Sequence, residues 1–276
     1  MPPRKARKGP TADVDITVPS VARMYDYALG GKDNYAVDRE AVDELERLLP
    51  GTAALCRTSR AFLCRAVRVL AGEYGVRQFL DHGSGLPTQD NVHQVAQRAA
   101  PGARVVYVDN DPVVVAHGRA LLAENDHTAV VQADLREVTA VHEHPEVRRL
   151  IDFSQPVAVL FVSVTHCLPD EDDPAGLLRR VTARLCPGSF LVLNQLVSED
   201  PDIRRTVTDF MVDVTRGAWG RVRRRQEVAR YFDGLQVLEP GLVDVSRWRP
   251  DRLTVVGGRA ATHRAWGEFG GVARVP

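Results

Sequence analysis

The stretch DHGSGLPT, residues 81–88, carries two glycines directly after a short apolar run, VRQFLD at 76–81. Glycine has no Cβ, so a turn that contains it can approach a ligand more closely than one built from other residues. In an open α/β sheet, ligands bind outside the carboxyl ends of the strands. This stretch therefore predicts that residues 76–81 form a strand of such a sheet and that residues 81–88 lie at its binding edge.

Short apolar runs recur after residue 75 and alternate with segments of helical periodicity. Beyond 76–81 the runs are ARVVYVD (103–109), AVVQAD (129–134), VAVLFVSV (157–164) and SFLVLNQL (189–196). Near-continuous aliphatic runs are typical of parallel strands that are covered on both faces. Asp111-Pro112 and Asp173-Pro174 each offer an N-cap followed by a proline suited to the first helical position. The alternation predicts an α/β fold with a doubly wound, mostly parallel sheet.

The residues before this alternation form a different region. Helical patterns are predicted between residues 20 and 70, the first ending at Pro50-Gly51 and the second near Gly72. The stretch YDYALGGKDNYAVD, residues 25–38, is polar, aromatic and glycine-bearing, which favours a loop that contacts a ligand. We therefore predict a disordered tail over 1–12, an N-terminal helical or lid extension over 13–74, and a Rossmann-like domain over 75–276.

The last third of the chain is less regular but still contains recognisable elements. Helices are predicted at 201–216 and around 226–233. A strand is predicted at 235–245, kinked at Pro240-Gly241, and the run GGVARV near the terminus predicts one more. These strands would extend the same sheet.

Composition and charge exclude several classes of protein. The 276 residues are 44% hydrophobic and 26% charged, as in a globular protein with a core. The 36 basic residues equal the 36 acidic ones in number, so no general polyanion-binding surface and no nucleic-acid partner are expected. No window approaches the roughly 18 to 20 apolar residues that span a bilayer, and no apolar segment follows the basic start MPPRKARKGP. We expect a cytoplasmic protein without a membrane partner.

Neither a disulfide framework nor a metal site is predicted. Cys56, Cys64, Cys167 and Cys186 are scattered, with no CxxC pair among them. His142-Glu143-His144 separates its histidines by one residue, whereas the HExxH histidines share a helix face because they are four residues apart. We therefore expect no metal at the functional site.

Acidic residues end the first three predicted strands: Asp81, Asp109 and Asp134. An acidic residue that binds a ribose diol is expected after the second strand, where Asp109 stands. A dinucleotide site would continue as GxGxxG, but Thr88 occupies the position of the third glycine. Asp81 repels a pyrophosphate and suits a cationic ligand with an ammonium group and a ribose, such as S-adenosylmethionine. The residues favour that cofactor, and an NAD(P)-dependent oxidoreductase is the less favoured alternative.

Three segments resemble one protein family: ARMYDYALGGKDNYAVDRE (22–40), FLDHGSGLPTQDNVHQVAQ (79–97) and VVYVDNDPVVVAHGRALL (105–122). The chain resembles the actinobacterial S-adenosylmethionine-dependent methyltransferase-like family over nearly all residues beyond 15. The GGKDNY and DNDP stretches are specific to that family. The resemblance implies the class I methyltransferase fold, with a seven-stranded sheet whose antiparallel last strand is inserted next to the sixth.

The resemblance also implies roles for individual residues toward S-adenosylmethionine. Gly83 and Gly85 would form the loop against its methionine part, with Asp81 near the ammonium group. Asp109 would bind the ribose hydroxyls. The residues beside the adenine would be Asn110, Asp111, Asp134, which would accept from the amino group, and its neighbours Ala133 and Leu135.

The N-terminal loop would cover the bound cofactor. The resemblance implies that GGKDN, from Gly30 to Asn34 and including Gly31 and Asp33, folds over it, with Tyr25 and Tyr35 as wall residues. The chain departs from the expected pattern at His82, where a small aliphatic residue or isoleucine is expected. It departs again at residues 165–167, Thr-His-Cys, where a Leu-His-Phe type of ending is expected after the fourth strand.

The expected activity is methyl transfer to an O, N or C atom of a small molecule, with S-adenosylhomocysteine as product. Such a displacement chiefly requires alignment, and a general base is needed only if the acceptor has a proton to lose. His166, just past the fourth strand, is the candidate base, while Arg221 and residues 223–225 are interpreted as a solvated basic face. The alternative from another class is a non-catalytic protein that binds S-adenosylmethionine or S-adenosylhomocysteine.

Overall fold

The computed structural model describes residues 15–88, 90–121, 125–250 and 266–276. The predicted tail over 1–12 lies outside these residues. The described chain contains one mixed sheet with strand order β3-β2-β1-β4-β5-β8-β6, and β7 also pairs with β8. The strands are β1 (Gln78–His82), β2 (Arg104–Asp109), β3 (Thr128–Gln132), β4 (Ala158–Val162), β5 (Phe190–Val197), β6 (Gln236–Val237), β7 (Val243–Asp244) and β8 (Gly267–Arg274).

Strands β1 to β5 pair in parallel, as the aliphatic runs predict. All five residues of β1 and all eight of β5 are buried, so the helices cover both faces of the sheet. Two clusters of buried apolar side chains lie on opposite faces, because alternate residues of a strand point to opposite sides. The doubly wound, mostly parallel α/β fold is confirmed.

The last strand confirms one expectation and corrects another. Strand β8 is antiparallel to β5 and β6 and lies between them, as the resemblance implied. The predicted strand over 235–245 is instead two strands of two residues each, β6 and β7, so the described residues form eight strands where seven were expected. Pro240 has no N–H to donate, and Gly241 has a φ of +93°, so the ladder is interrupted between them.

The described chain contains ten α-helices. They are α1 (Val21–Ala28), α2 (Ala36–Leu48), α3 (Thr52–Gly72), α4 (Val92–Ala99), α5 (Pro112–Leu121), α6 (Val138–Glu143), α7 (Pro145–Leu150), α8 (Pro174–Thr182), α9 (Pro201–Val214) and α10 (Arg225–Ala229). The predicted caps are present: the carboxylate of Asp111 accepts from the Val113 N–H, and that of Asp173 accepts from the Gly176 N–H. No helix in the described residues is long and apolar enough to cross a membrane.

The N-terminal helices pack on one corner of the sheet. The prediction of a loop over 25–38 is wrong at both ends, since helix α1 continues to Ala28, α2 begins at Ala36, and only residues 29–35 separate them. Met24 and Ala28, four residues apart, share one face and are buried in an apolar cluster with α2, α3 and α9. That packing outweighs the polar composition that favoured a loop.

Candidate functional site

The glycine loop, residues 83–85, follows β1 at the carboxyl edge of the sheet. Gly83 and Gly85 both have left-handed φ angles, +68° and +65°. The N–H groups of Gly83 and Ser84 donate to the carbonyl of Val108 at 2.8 and 3.2 Å, which ties the loop to β2. A Cβ on Gly83 would lie 2.3 Å from the Val164 side chain, so the fold itself requires glycine there. A Cβ on Gly85 would meet nothing within 4 Å.

Asp109 ends β2 beside this loop. One of its carboxylate oxygens accepts from the Gly85 N–H at 2.9 Å, and the other accepts from the Asp111 N–H at 3.0 Å. Burial is the largest effect on this carboxyl and raises its pKa. A carboxylate has about four acceptor sites, so Asp109 can accept two further hydrogen bonds. The geometry fits a ligand with paired hydroxyl groups.

Asp81 and Arg60 bring opposite charges to the end of β1. Asp81 is buried, and burial raises the pKa of its carboxyl to about 7, with the Arg60 guanidinium opposing that shift and Asp109 adding to it. Arg60 belongs to α3 and donates to the Asp90 carbonyl at 2.9 Å. A carboxyl and a guanidinium near each other complement a zwitterionic amino-acid group. Sequence reasoning missed Arg60, because a lone arginine in a helix carries no local signal.

The GGKDN loop is organised around a buried carboxylate, Asp26. One oxygen of Asp26 accepts from the backbone N–H of Asp33 at 2.9 Å and from the side-chain amide of Asn34 at 2.8 Å. A Cβ on Gly31 would lie 1.9 Å from the other oxygen, so this position requires glycine. The amide of Asn34 therefore holds the loop together and does not point outward as a separate ligand.

The N-terminal region also contacts the end of β2. The Ser20 hydroxyl donates to a carboxylate oxygen of Asp111 at 3.2 Å. On the GGKDN loop, a carboxylate oxygen of Asp33 lies 3.4 Å from Nδ1 of His117 on α5. The structure thus brings the two predicted groups of cofactor residues, 31–34 and 109–111, to the same corner of the molecule.

The residues after β3 are less suited to their predicted role. Arg136 donates to both carboxylate oxygens of Asp134, and this pairing is the main cause of the lowered pKa of that carboxyl. Arg136 also forms an ion pair with Asp172. Leu135 packs against the apolar core, and the Asn110 carbonyl accepts from Gln132 at 3.5 Å. An adenine contact at Asp134 stays a prediction, and it would share that carboxylate with Arg136.

An apolar cavity of about 90 Å³ lies between the N-terminal helices, α9 and the carboxyl ends of β4 and β5. Its apolar and aromatic walls include Met24, Tyr25, Leu55, Met211, Trp219 and Trp266. The Tyr25 hydroxyl donates to the Cys56 carbonyl at 3.0 Å, so Tyr25 is held in this wall. Tyr35, predicted with Tyr25 as a wall residue of the cofactor, is 41% exposed and does not line this cavity.

His166 lines the cavity but is poorly suited to accept a proton. Its Nδ1 accepts from the Leu196 N–H at 3.2 Å, which leaves the ring proton on Nε2. Its ring packs 4.6 Å from that of Trp219. Burial, with a smaller effect from Arg223, lowers the pKa of His166 to about 3. In this arrangement the imidazole is neutral and can donate from Nε2, and a catalytic role stays a prediction.

Glu268, near the start of β8, is a cavity residue that the sequence did not reveal. It is 5% exposed, and its oxygens accept from Asn194 at 2.7 Å and from the Ser163 hydroxyl at 3.2 Å. Burial raises the pKa of this carboxyl to about 7. The only sequence signal for Glu268 is that it is an acidic residue inside an otherwise apolar run near the C-terminus. That run does not predict which helices and strands pack around the side chain.

The cavity adjoins the glycine loop. Ser163 and Val164 are consecutive after β4: the first donates to Glu268 in the cavity, and the second packs against Gly83. Both Asp109 and Glu268 raise the pKa of the buried Cys167 thiol, after the larger effect of burial. One short segment therefore separates the end of the glycine loop from the cavity.

Two histidines singled out from the sequence are packing residues. His82 is stacked on Phe161 with ring centroids 4.5 Å apart, and burial lowers its pKa to about 3. His142 is stacked on Phe153 at 4.3 Å. The described residues contain no cluster of three or more His, Cys, Asp or Glu that could hold a metal ion. The four cysteines are free.

The interpretation of the arginine cluster as a solvated face is wrong for Arg223. This side chain is 2% exposed and donates to the carbonyls of Thr165 and Leu168 and to the Asp170 carboxylate. Arg221 also pairs with Asp170. Both arginines precede α10 in extended backbone, so they do not follow helical periodicity. They anchor the segment that carries His166.

Comparison with known proteins agrees with this geometry. The model of a family described as S-adenosyl methyltransferase matches residues 7–276. A DUF574 family protein from Streptomyces avermitilis MA-4680 is 38% identical, with a TM-score of 0.86, over 95% of this chain and 99% of that one. A candidate methyltransferase from Thermobifida fusca YX is 39% identical, with a TM-score of 0.84, over 95% of this chain and 96% of that one. No curated protein matches the chain.

Proposed function

Because the chain belongs to the S-adenosyl methyltransferase family and is an S-adenosylmethionine-dependent methyltransferase, we propose that its acceptor is a small molecule bound in the apolar cavity. One observation carries this proposal: the cavity and the glycine loop are adjacent. Ser163 donates to Glu268 in the cavity, and the next residue, Val164, packs against Gly83 of the loop. S-adenosylmethionine supplies an electrophilic methyl group on a positively charged sulfur. An acceptor in the adjoining cavity would be held next to that methyl group, which is the alignment that methyl transfer requires.

For the cofactor, we propose that the glycine loop and the ends of β1 and β2 form its site. The open space beside Gly85 supports this assignment, since a Cβ there would point into it unopposed. Asp109 would accept from the ribose hydroxyls with the acceptor sites that Gly85 and Asp111 leave free. Asp81 and Arg60 would bind the ammonium and carboxylate groups of the methionine part.

The N-terminal residues would cover the bound cofactor and complete its site. The proximity of Asp33 to His117 and the bond from Ser20 to Asp111 support a position of the N-terminal region beside the bound adenosine. We propose that Gly31 and Asp33 lie beside the cofactor as parts of a loop whose shape Asp26 fixes from within, by accepting from both of their backbone N–H groups.

A small acceptor fits the cavity better than a macromolecular one. The cavity volume is about 90 Å³, below the roughly 300–1,000 Å³ typical of drug-sized ligand sites, so it suits only a compact group, and helices close it on several sides. The equal numbers of basic and acidic residues also lack the positive excess typical of nucleic-acid binding. We therefore propose methyl transfer to an O, N or C atom of a small molecule, with S-adenosylhomocysteine as the second product.

The proposal is tested by titration and by turnover. Calorimetric titration of S-adenosylmethionine, S-adenosylhomocysteine and NAD⁺ into the protein should show micromolar binding of the first two and none of the third. Methyl-labelled S-adenosylmethionine should then label an acceptor from a panel of small molecules. Binding of NAD⁺ alone would favour an oxidoreductase, and cofactor binding without labelling of any acceptor would favour a non-catalytic binding protein.

A further inference from the structure

The apolar cavity combines aromatic and thioether walls with a single buried carboxylate, that of Glu268. Tyr25, Trp219 and Trp266 supply aromatic rings to the walls, and Met24 and Met211 supply thioethers. Faces of aromatic rings attract cations, and a cation in such a site is stabilised further by a nearby carboxylate. Among the described residues that line the cavity, Glu268 is the only acidic or basic side chain apart from His166, whose ring is neutral.

Glu268 is held rigidly at the edge of this cavity. Asn194 donates to one of its oxygens at 2.7 Å and Ser163 donates to the other at 3.2 Å. Ser59 on α3 joins the network, since its hydroxyl lies 2.6 Å from that of Ser163 and accepts from Asn194 at 2.9 Å. Two hydrogen bonds leave part of the acceptor capacity of the carboxylate unused.

The described groups around Glu268 do not neutralise its charge. Three further titratable side chains lie near Glu268: Tyr25 on α1, Cys56 on α3 and Cys167 after β4. Burial, with a smaller effect from the charge of Glu268, raises the pKa of each, so all three stay uncharged at neutral pH. Asp244 on β7 adds a second negative charge and raises the pKa of Glu268 further. Within the described residues, no Lys or Arg forms an ion pair with Glu268. A buried carboxylate without a counter-ion costs free energy that a cationic ligand would offset.

We propose that the methyl acceptor is a small apolar amine, that Glu268 binds its ammonium group in the cavity, and that Glu268 then accepts one of its protons. This proposal rests on the proposed function and specifies its substrate class. In the proton transfer, one N–H bond of the ammonium group breaks and an O–H bond forms on Glu268. The nitrogen keeps the electron pair and becomes nucleophilic, which it is not while protonated.

The alternative acceptors fit the site less well. An alcohol or phenol would donate a hydrogen bond to Glu268 but would bring no positive charge to its carboxylate. A carboxylate or phosphate would place like charges together. His166 does not compete for the proton, because its Nδ1 already accepts from the Leu196 N–H and its ring stays neutral.

The test uses matched pairs of amines and alcohols in three sizes: isobutylamine and isobutanol, cyclopentylamine and cyclopentanol, benzylamine and benzyl alcohol. Each is titrated calorimetrically into the full chain, with and without saturating S-adenosylhomocysteine. We expect at least one amine to bind at least about tenfold more tightly than its alcohol, as a charge-assisted hydrogen bond in a buried site predicts. Glu268→Gln should abolish that preference and leave the affinity for S-adenosylhomocysteine within about twofold.

Two further variants control for charge and folding. Glu199→Gln removes an exposed carboxylate at the same edge of the sheet and should leave the amine preference unchanged. Glu268→Asp retains the charge on a shorter side chain and should weaken amine binding while keeping a preference for the amine. If Glu268→Gln fails to fold, Glu268→Asp still tests the role of the charge. A Glu268→Asp variant that shows no preference for the amine would overturn the proposal.

Proton release supplies a readout that a purely structural Glu268 would not change. Because burial raises the pKa of Glu268 to about 7, part of the carboxyl is protonated near neutral pH, and binding of an ammonium group there should release protons. Titrations in two buffers of different ionisation enthalpy measure this release, which should vanish in Glu268→Gln.

The possible failures are distinguishable. The amine proposal is overturned if every amine binds no more tightly than its alcohol, or if Glu268→Gln keeps the preference. Failure of S-adenosylhomocysteine to bind contradicts the proposed function in a separate titration, and the amine titrations without it still decide the role of Glu268.

Discussion

The glycine loop and the apolar cavity lie next to each other at one edge of the sheet, yet they are built in different ways. The loop is a three-residue turn held by groups at the ends of two neighbouring strands: the Val108 carbonyl, the Asp109 carboxylate and the Val164 side chain. The cavity is assembled from α1, α2, α3, α9, the ends of β4 and β5, and the start of β8. The loop proposed to bind the cofactor can be located from a local motif, whereas the cavity proposed to bind the acceptor depends on long-range packing.

The largest effect is expected from replacing Gly83, the residue through which the glycine loop contacts the segment beside the cavity. Gly83→Ala places a Cβ 2.3 Å from the Val164 side chain and keeps a φ of +68°, so it should lower the free energy of unfolding by about 2–5 kcal/mol. Urea unfolding measures the change. A loss below about 1 kcal/mol would show that the loop does not depend on Val164, and that the two regions are less tightly joined than their contact indicates.

The two buried carboxyls, Asp81 at the loop and Glu268 in the cavity, should respond alike to pH. Each has a pKa of about 7, above its ordinary value of 3.8 or 4.5, so the folded chain holds more protons than the unfolded chain between these values. The stability that this difference contributes is complete below about pH 4 and is lost as the pH rises through 7. At about 1.4 kcal/mol per pKa unit, the loss is on the order of a few kcal/mol for each group.

Asp81→Asn and Glu268→Gln should each flatten this pH dependence. Both variants should resist urea better than the natural chain at about pH 8, where both carboxyls would otherwise be ionised, and should show less advantage at about pH 5. If only one variant shows this behaviour, the two regions differ electrostatically, and if neither does, the carboxyls are not shielded from water.

Asp109 should matter to the cofactor and not to the cavity. Asp109→Ala removes the proposed acceptor of the ribose hydroxyls and should weaken S-adenosylhomocysteine binding by about 1–3 kcal/mol. Calorimetry measures the loss, with Asp202→Ala, an exposed carboxylate on α9, as the control that should change nothing. Unchanged affinity in Asp109→Ala would remove this residue from the site.

The smallest effect is expected at the contact between the N-terminal region and the end of β2. Ser20→Ala removes the hydrogen bond to Asp111, which should cost about 0.5–1.5 kcal/mol, a loss of S-adenosylhomocysteine affinity of about tenfold at most. The same titration measures it. A larger loss would indicate that closure of the whole N-terminal region depends on this one contact.

The two regions were also unequally accessible to sequence reasoning. Strands β1 to β5 and β8, Gly83, Gly85 and the position of Asp109 could be predicted, because strand periodicity and a turn at a strand end are local features. Asp26 gave no such signal, since its role depends on a loop that wraps back onto its own helix. The polar composition of residues 25–28 predicted a loop, and burial of α1 overrode it.

Residues of the cavity could not be placed from the sequence. Glu268 and Ser59 are linked through Asn194 and Ser163, and these four residues belong to β8, α3, β5 and the segment after β4. Their proximity arises only when the last strand is inserted between β5 and β6. The position of His166 just past β4 is a local feature that the sequence predicts, whereas the bond from the Leu196 N–H to its Nδ1 depends on long-range packing.

The most direct test of the account compares two glycines of similar conformation. Gly85 and Gly75 have φ angles of +65° and +71°, and a Cβ on either would meet nothing within 4 Å, so alanine should cost each about 1–2 kcal/mol of stability. Only Gly85 lies in the glycine loop. Titration of S-adenosylhomocysteine should show at least about a tenfold loss of affinity in Gly85→Ala and none in Gly75→Ala. Equal affinities in the two variants would contradict the placement of the cofactor against this loop.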